Sequence, residues 1–322
     1  MTLPLPLTRY FLGATTILLL GTYLNSLIVP QTAIALSSSP FQIAQANPKQ
    51  LVIIFANRRD ATDLERKANE IAQFLSKQTG IPVKAMVADE GAAVEALRAN
   101  RADVAFLGSR AAIRAEKTTK AKLYLAEVRQ DYSGGHTYNS VLVVRKDSPL
   151  RQQPTEKQTL TQLRGKRMAF ASRSSGSGFI MPTSQFVALG LIPNPDRYNQ
   201  FFGQVIYGDG YPSALQAVLK KQADVAAVSE YALKAPWITP EEAKQLRVIW
   251  SIPGVPAHGI VIDDDVPTAE RNNLITAFLK LNEPSNNTMF QSLYNSTKLV
   301  KVDHNRHIAP MEKALERAKL EP

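Results

Sequence analysis

Apolar residues fall along the chain in short runs at two different spacings. Leu51-Val52-Ile53-Ile54-Phe55 is an unbroken run of strand length, whereas Leu64, Ala68, Ile71, Ala72 and Leu75 recur at helical spacing. Thr62 and Glu65 have the three-residue separation of a capping box at the start of that helix, and Gly80 followed by Pro82 ends it. The pattern then predicts a strand over Val83–Val87, a helix over about 92–100 and a strand over Ala102–Leu107. This β-α-β-α-β order is the unit of a parallel sheet.

The same plan recurs. Arg167–Ala171 reads as a strand, Ser172–Ser177 as a loop, and Gly178–Leu189 as a helix closed by Gly190. Gln204–Tyr207 is a strand, Pro212–Lys221 a helix and Ala223–Val228 a strand. The helix, turn and Ala-Asp-Val-Ala strand around Asp103 return around Asp224 at an offset of 121 residues. Two similar lobes follow from this. Tyr138–Asp147 and Gly259–Ile262 are the strands at which the chain would cross between them. The expected division is 47–143 plus 258–322 for lobe one and 144–257 for lobe two. Thr268–Leu281 and Ile308–Leu320 read as closing helices.

Ahead of these elements, residues 1–30 carry one charged side chain, Arg9, then apolar runs; Ala33-Ile34-Ala35 and Ala44-Gln45-Ala46 are small-residue cleavage signals. Residues 1–46 are therefore read as a signal peptide and linker, with an uncleaved membrane anchor as the alternative. The protein is expected to be periplasmic. Composition changes this picture little: of 322 residues, 44% are hydrophobic and 20% charged, an ordinary globular balance. The absence of cysteine excludes disulfides, thiolate metal sites and a cysteine nucleophile. The net charge of +10 comes from 38 basic residues scattered among 28 acids, which argues for general attraction of anions and against a nucleic-acid groove.

The stretch with most chemistry is Ser172-Arg173-Ser174-Ser175-Gly176-Ser177-Gly178, placed between a strand and a helix. Serine hydroxyls, permissive glycines and the unpaired N–H groups of a helix start suit a phosphate-like oxyanion. The loop lacks the lysine of a phosphate-binding Walker motif and the pattern of a hydrolase elbow. Asp103 and Asp224 read as turn-forming residues. Neither Asp263-Asp264-Asp265 nor His304 with His307 makes a convincing metal site, and no cofactor is expected.

Leu163–Phe170 followed by Ser174–Phe179 and Pro182 resembles the phosphonate/phosphite/phosphate-type substrate-binding proteins of ABC importers. Asp103–Gly108, Ser140–Ser148, Leu299–Asp303 and Ile308–Met311 resemble other segments of that family, so the likeness runs over roughly residues 50–318. It implies an α/β, two-lobed periplasmic binding-protein fold with a hinge. It also implies an oxyanion held by the loop Ser174, Ser175, Gly176 and Ser177, where the family's Ser-Thr-Ser cluster loses its middle hydroxyl. The family's other ligand positions fall on or near Glu90, Tyr138, Tyr211, Glu230 and His258; at Glu90, Tyr211 and His258 the residue type departs from the family's. The implied role is non-catalytic capture of a phosphorus oxyanion by a monomer, for delivery to an ABC permease. A receptor feeding a membrane sensor, or a secreted hydrolase using Ser175 or Ser177, are the rival readings.

Overall fold

The computed structural model describes residues 50–57 and 63–322; the leader read from residues 1–46 and the cap assigned to Thr62 lie outside them. The first part of the chain gives β1 (Leu51–Ala56), α1 (Leu64–Thr79), β2 (Val83–Ala88), α2 (Glu90–Arg98), β3 (Val104–Leu107), α3 (Ser109–Thr119) and β4 (Lys122–Val128). The middle gives β5 (Thr137–Arg145), α4 (Glu156–Thr161), β6 (Arg167–Phe170), α5 (Met181–Ala188), β7 (Gln204–Tyr207), α6 (Tyr211–Leu219), β8 (Val225–Ser229), α7 (Pro240–Ala243) and β9 (Leu246–Pro256). The last part gives β10 (Gly259–Ile262), α8 (Thr268–Leu279), α9 (Asn287–Tyr294), β11 (Lys298–Lys301) and α10 (His304–Ala318).

Two mixed sheets result, with orders β11-β4-β10-β3-β1-β2 and β7-β6-β8-β5-β9. Set side by side, five strands of the first sheet match the five of the second, and β11 is the extra one. β2, β1 and β3 are parallel, as are β7, β6 and β8. β10 then runs antiparallel between β3 and β4, as β5 does between β8 and β9. The chain leaves the first sheet at 129–136 and returns at 257–258. Thr137–Arg145, divided at residue 143 in the sequence reading, lies wholly in the second sheet because β8 and β9 pair along both of its edges.

Alternation fixes which side of each strand packs where. Ile53, Phe55, Val104 and Phe106 face one buried cluster with α1, α8 and α9, while Ile54, Ala105 and Leu107 face another with α2 and α3. Both faces of the sheet are thus covered, as a parallel sheet requires. Fully burying each such Ile or Phe contributes about 1.5–3 kcal/mol. The two aspartates of the repeat do the same job in both sheets. The Asp103 carboxylate accepts the Val52 N–H at 2.7 Å, and the Asp224 carboxylate accepts the Arg167 N–H at 2.8 Å. Each ties the start of a central strand to its parallel neighbour, which is the physical basis of the repeated Ala-Asp-Val-Ala.

Seven elements escaped the sequence pattern: α3, β4, α4, α7, β9, α9 and β11. β4 reads as mixed polar because it carries Glu127, which is fully buried. β9 is an edge strand whose exposed positions, Val248, Ser251 and Pro253, do not alternate, and Pro253 and Gly254 fall where its register against β5 shifts. The C-terminal helix α10 packs against α3 and β4 on one side and α5 and β9 on the other. Two of its histidines tie it to the sheets. His304 Nδ1 accepts the Leu123 N–H at 2.8 Å, and His307 Nε2 donates to the Ala257 carbonyl at 3.0 Å, at the return between sheets. Burial holds the His307 pKa at about 4, against a weaker upward pull from the Ala257 carbonyl; His136 and His304 add to the lowering.

Candidate functional site

The ends of the parallel strands in both sheets face one cavity of about 240 Å³. On the second-sheet side, β6 ends at Phe170 and the serine loop follows. Ser175 closes it by accepting the Gly178 N–H on its Oγ at 2.9 Å, and so caps a single π-helical turn, Gly176–Ile180, ahead of α5. A wider turn of this kind, common at functional sites, replaces the α-helical start expected at Gly178. Gly178 is required there: a Cβ would stand 2.5 Å from Ala171 Cβ and 2.8 Å from Ser175 Oγ. Gly176, where the family's pattern has a hydroxyl, packs against Met311 of α10; a Cβ would meet its methyl carbon at 2.8 Å. Arg173 turns away and lies over the Tyr207 ring, 4.1 Å from its centroid.

Ser172, Ser174, Ser175 and Gly176 line the cavity. Ser177 does not. It is fully buried behind the loop, its Oγ sharing a 2.8 Å hydrogen bond with the Tyr211 hydroxyl and its carbonyl accepting from Ser140 Oγ at 2.6 Å. The remaining wall on this side is aromatic. Tyr138, Tyr211, Tyr231 and Trp237 line it, with ring centroids of Tyr211 and Trp237 5.3 Å apart and of Tyr138 and Tyr231 5.2 Å apart.

On the first-sheet side the lining carries charged Glu90 at the start of α2 and Arg110 in the first turn of α3, with the His258 imidazole between β9 and β10. Glu90 Oε1 accepts the Gly108 N–H at 2.6 Å. Gly108 allows this approach, because a Cβ would stand 2.9 Å from that oxygen and 3.1 Å from His258 Nε2. The His258 ring stacks on Phe106 and lies between two carboxylates, 3.8 Å from Glu90 and 3.5 Å from Glu127. Behind it, buried Glu127 accepts from the Tyr132 hydroxyl at 2.7 Å, from Ser296 Oγ and from Arg129 Nε at 3.3 Å. Arg129 in turn lies 5.5 Å from the Tyr231 ring centroid. This buried chain links β4, the passage between sheets and the aromatic wall.

Of the nine residues named from sequence, Glu90, Tyr138, Ser174, Ser175, Gly176, Tyr211 and His258 meet at this cavity. Glu230 is placed elsewhere: its Oε1 accepts from the backbone N–H and the hydroxyl of Ser133, both at 2.9 Å, and the next residue, Tyr231, takes the wall position. Strand β8 ends at Ser229, so the direction its last residues face decides which of the two is presented. Sequence reasoning passed over Arg110, Asp209, Tyr231 and Trp237. The repeat held a signal for two of them, since Arg110 and Tyr231 stand 121 residues apart at the ends of matched strands. Among the described residues no cluster of His, Asp and Glu could hold a metal ion.

Two sheets of this order with a cavity between the carboxyl ends of their strands define the periplasmic binding-protein class. The chain belongs to the family described as "ABC transporter, phosphonate, periplasmic substrate-binding protein", whose sequence profile matches residues 53–307. It is 28% identical over 242 residues to the phosphonates-binding periplasmic protein of Escherichia coli, covering 73% of this chain and 67% of that one. It is 24% identical over 211 residues to the phosphate-import protein PhnD of Mycolicibacterium smegmatis, covering 64% of each. The fold is shared with PhnD1 of Prochlorococcus marinus, solved in complex with methylphosphonate: TM-score 0.66, 21% identity, 85% of this chain and 99% of that one. The family is the substrate-binding component of ABC transport, and among the described residues no helix is long and apolar enough to cross a membrane.

Proposed function

We propose that the protein captures a small phosphorus oxyanion (a phosphonate, phosphite or phosphate) outside the cytoplasm and delivers it to an ABC permease. The observation that carries this reading is the serine loop facing the cavity at the start of a helical turn, with cationic Arg110 opposite. Loop hydroxyls and backbone N–H groups would take the oxygens of the anion, and the aromatic wall would pack on its substituent. Glu90, Tyr138, Tyr211, His258 and Ser174–Gly176 contact the ligand in this reading, while Ser177 acts by fixing Tyr211.

The two sheets are the cores of two lobes, 50–128 plus 259–322 and 137–256, which close over the ligand by rotating about 129–136 and 257–258 and so exclude water. The protein acts as a monomer, exported by the leader in residues 1–46, without nucleic-acid partners. In this reading it binds without catalysis: Ser175 Oγ accepts the Gly178 N–H and keeps its O–H to donate to the anion, while Ser177 Oγ pairs with the Tyr211 hydroxyl. A thermal-shift series with phosphate, phosphite and methylphosphonate tests the proposal. At 100 times its dissociation constant the cognate ion stabilises by about 2.7 kcal/mol. No shift with any of the three at millimolar concentration would sink it.

A further inference from the structure

The ligand cavity adjoins a second space of about 480 Å³, and the two share Glu90, Arg110, Ser174 and His258. Arg110 stands at the border. Its Nη2 donates to the Glu321 carbonyl at 2.9 Å, and its Nε is buried without a hydrogen-bond partner. Burial, then the charge of Arg114, hold its pKa below the ordinary guanidinium value, while the field of Glu90 works the other way. Among the described residues it forms no ion pair. Arg114, one turn further along α3, also lines the second space, and among the described residues its guanidinium is engaged only by an exposed contact of 3.3 Å to Glu95.

The acids around the second space are differently placed. Glu90 already accepts the Gly108 N–H, and Asp89 accepts the Ala92 N–H as the cap of α2. Each carboxylate therefore has a fixed backbone donor. Two lining groups keep a buried nitrogen without a hydrogen bond, Arg110 Nε and His258 Nδ1, and of these the planar guanidinium is the one suited to a carboxylate or phosphoryl group. A lone phosphate on the serine loop leaves this second space unfilled.

We propose that Arg110 and the second space form a subsite for a second anionic group, so that the ligand is a phosphorus oxyanion carrying another negative group, such as a phosphonocarboxylate. This rests on the reading of the serine loop as the first oxyanion site. The ligand would span from Ser175 to Arg110, with Arg114 adding charge behind and His258 flanking the junction. An ammonium in place of the second anion would face Arg110 and be repelled, although Glu90 lines both spaces and Asp209 lines the ligand cavity from the other sheet.

Calorimetry with phosphonoacetate, ethylphosphonate, 2-aminoethylphosphonate and methylphosphonate on the purified protein tests the subsite. Phosphonoacetate should bind at least about tenfold more tightly than ethylphosphonate, the usual effect of a hydrogen bond to a charged group. Arg110→Gln should reduce that ratio at least about fivefold, and Arg110→Lys, which keeps the charge, should retain part of it. Melting curves of both variants would confirm that they fold. If methylphosphonate binds but Arg110→Gln leaves the ratio unchanged, or if the wild type takes 2-aminoethylphosphonate as tightly as phosphonoacetate, the subsite is refuted and the serine-loop reading survives. If no phosphorus compound binds, both fall.

Discussion

The two halves of the molecule share a scaffold and differ in what they bring to the cavity. Glu90 and Tyr211 are each the first residue of the helix after the second parallel strand, and they are 121 residues apart. Arg110 and Tyr231 repeat the relation after the third strand. In the first half these positions are charged, with His258 beside them; in the second they are phenolic, with serines, Trp237 and one acid, Asp209, beside them. The strands are held by backbone pairing and, at their starts, by the Asp103 and Asp224 carboxylates, so most side chains just beyond their carboxyl ends can differ between the halves, Glu90 being held by the Gly108 N–H. One half can then set charge preference and the other supply hydroxyls and apolar contact.

The comparison can be broken most severely at Glu127, which anchors the charged half. Glu127→Gln takes the carboxylate charge away from buried Arg129, and breaking a buried pair in this way costs about 3–5 kcal/mol. Denaturant unfolding should show that loss; a change below about 1 kcal/mol would mean the network does not hold the rim. Acid is the next lever. His307 is neutral in the fold with a pKa of about 4, against about 6.5 when unfolded, so the unfolded chain binds the extra proton first. Its contribution is intact above pH 6.5 and is lost progressively as pH falls to 4, by up to about 3 kcal/mol. His307→Gln should flatten that part of the stability profile, and an unchanged slope would assign the acid sensitivity to other groups.

On the serine-bearing half, Ser175→Ala should weaken oxyanion binding by about 1–3 kcal/mol, through the lost ligand bond and the lost cap on Gly178. Ser177→Ala should instead show a smaller loss of affinity with a drop in melting temperature, because its hydroxyl holds Tyr211. Equal affinity losses at unchanged stability would place Ser177 in direct contact with the ligand. The smallest effect compares the scaffold itself. Asp103→Ala should cost about 2 kcal/mol and Asp224→Ala about 1 kcal/mol, since Asp103 is the more buried of two carboxylates that both bond a strand N–H. A reversed order would mean that the ion pair between Asp224 and Arg167 holds its strand more firmly than burial holds Asp103.

Much of the scaffold was legible because period and order repeat: β1, β2, β5, β7 and β10 lie within a residue or two of where the pattern puts them. β4 and β9 escaped for a physical reason in each case. Buried Glu127 gives β4 a polar look that only its buried donors explain. The edge strand β9 takes Pro253 and Gly254 because one side needs no partner. At the site, loop composition led to Ser174, Ser175 and Gly176 but could not tell an inward hydroxyl from the buried one of Ser177. Glu230 and Tyr231 are neighbours on the chain, and only the direction of β8 separates them. Arg110 reads as one base among 38, and only the 121-residue repeat, followed past the strand ends, would have picked it out.

The aromatic wall carries an optical consequence. The chain has two tryptophans, and they are unequally placed: Trp237 lines the cavity, whereas Trp250 lies on the edge strand β9, away from it. Emission from Trp237 should change in wavelength or intensity when a ligand replaces water against the indole, over a steady background from Trp250. Titrating Trp250→Phe should therefore sharpen the signal and Trp237→Phe should silence it. The protein would then report its own occupancy without any attached dye, quickly enough for stopped-flow measurement of ligand capture and release.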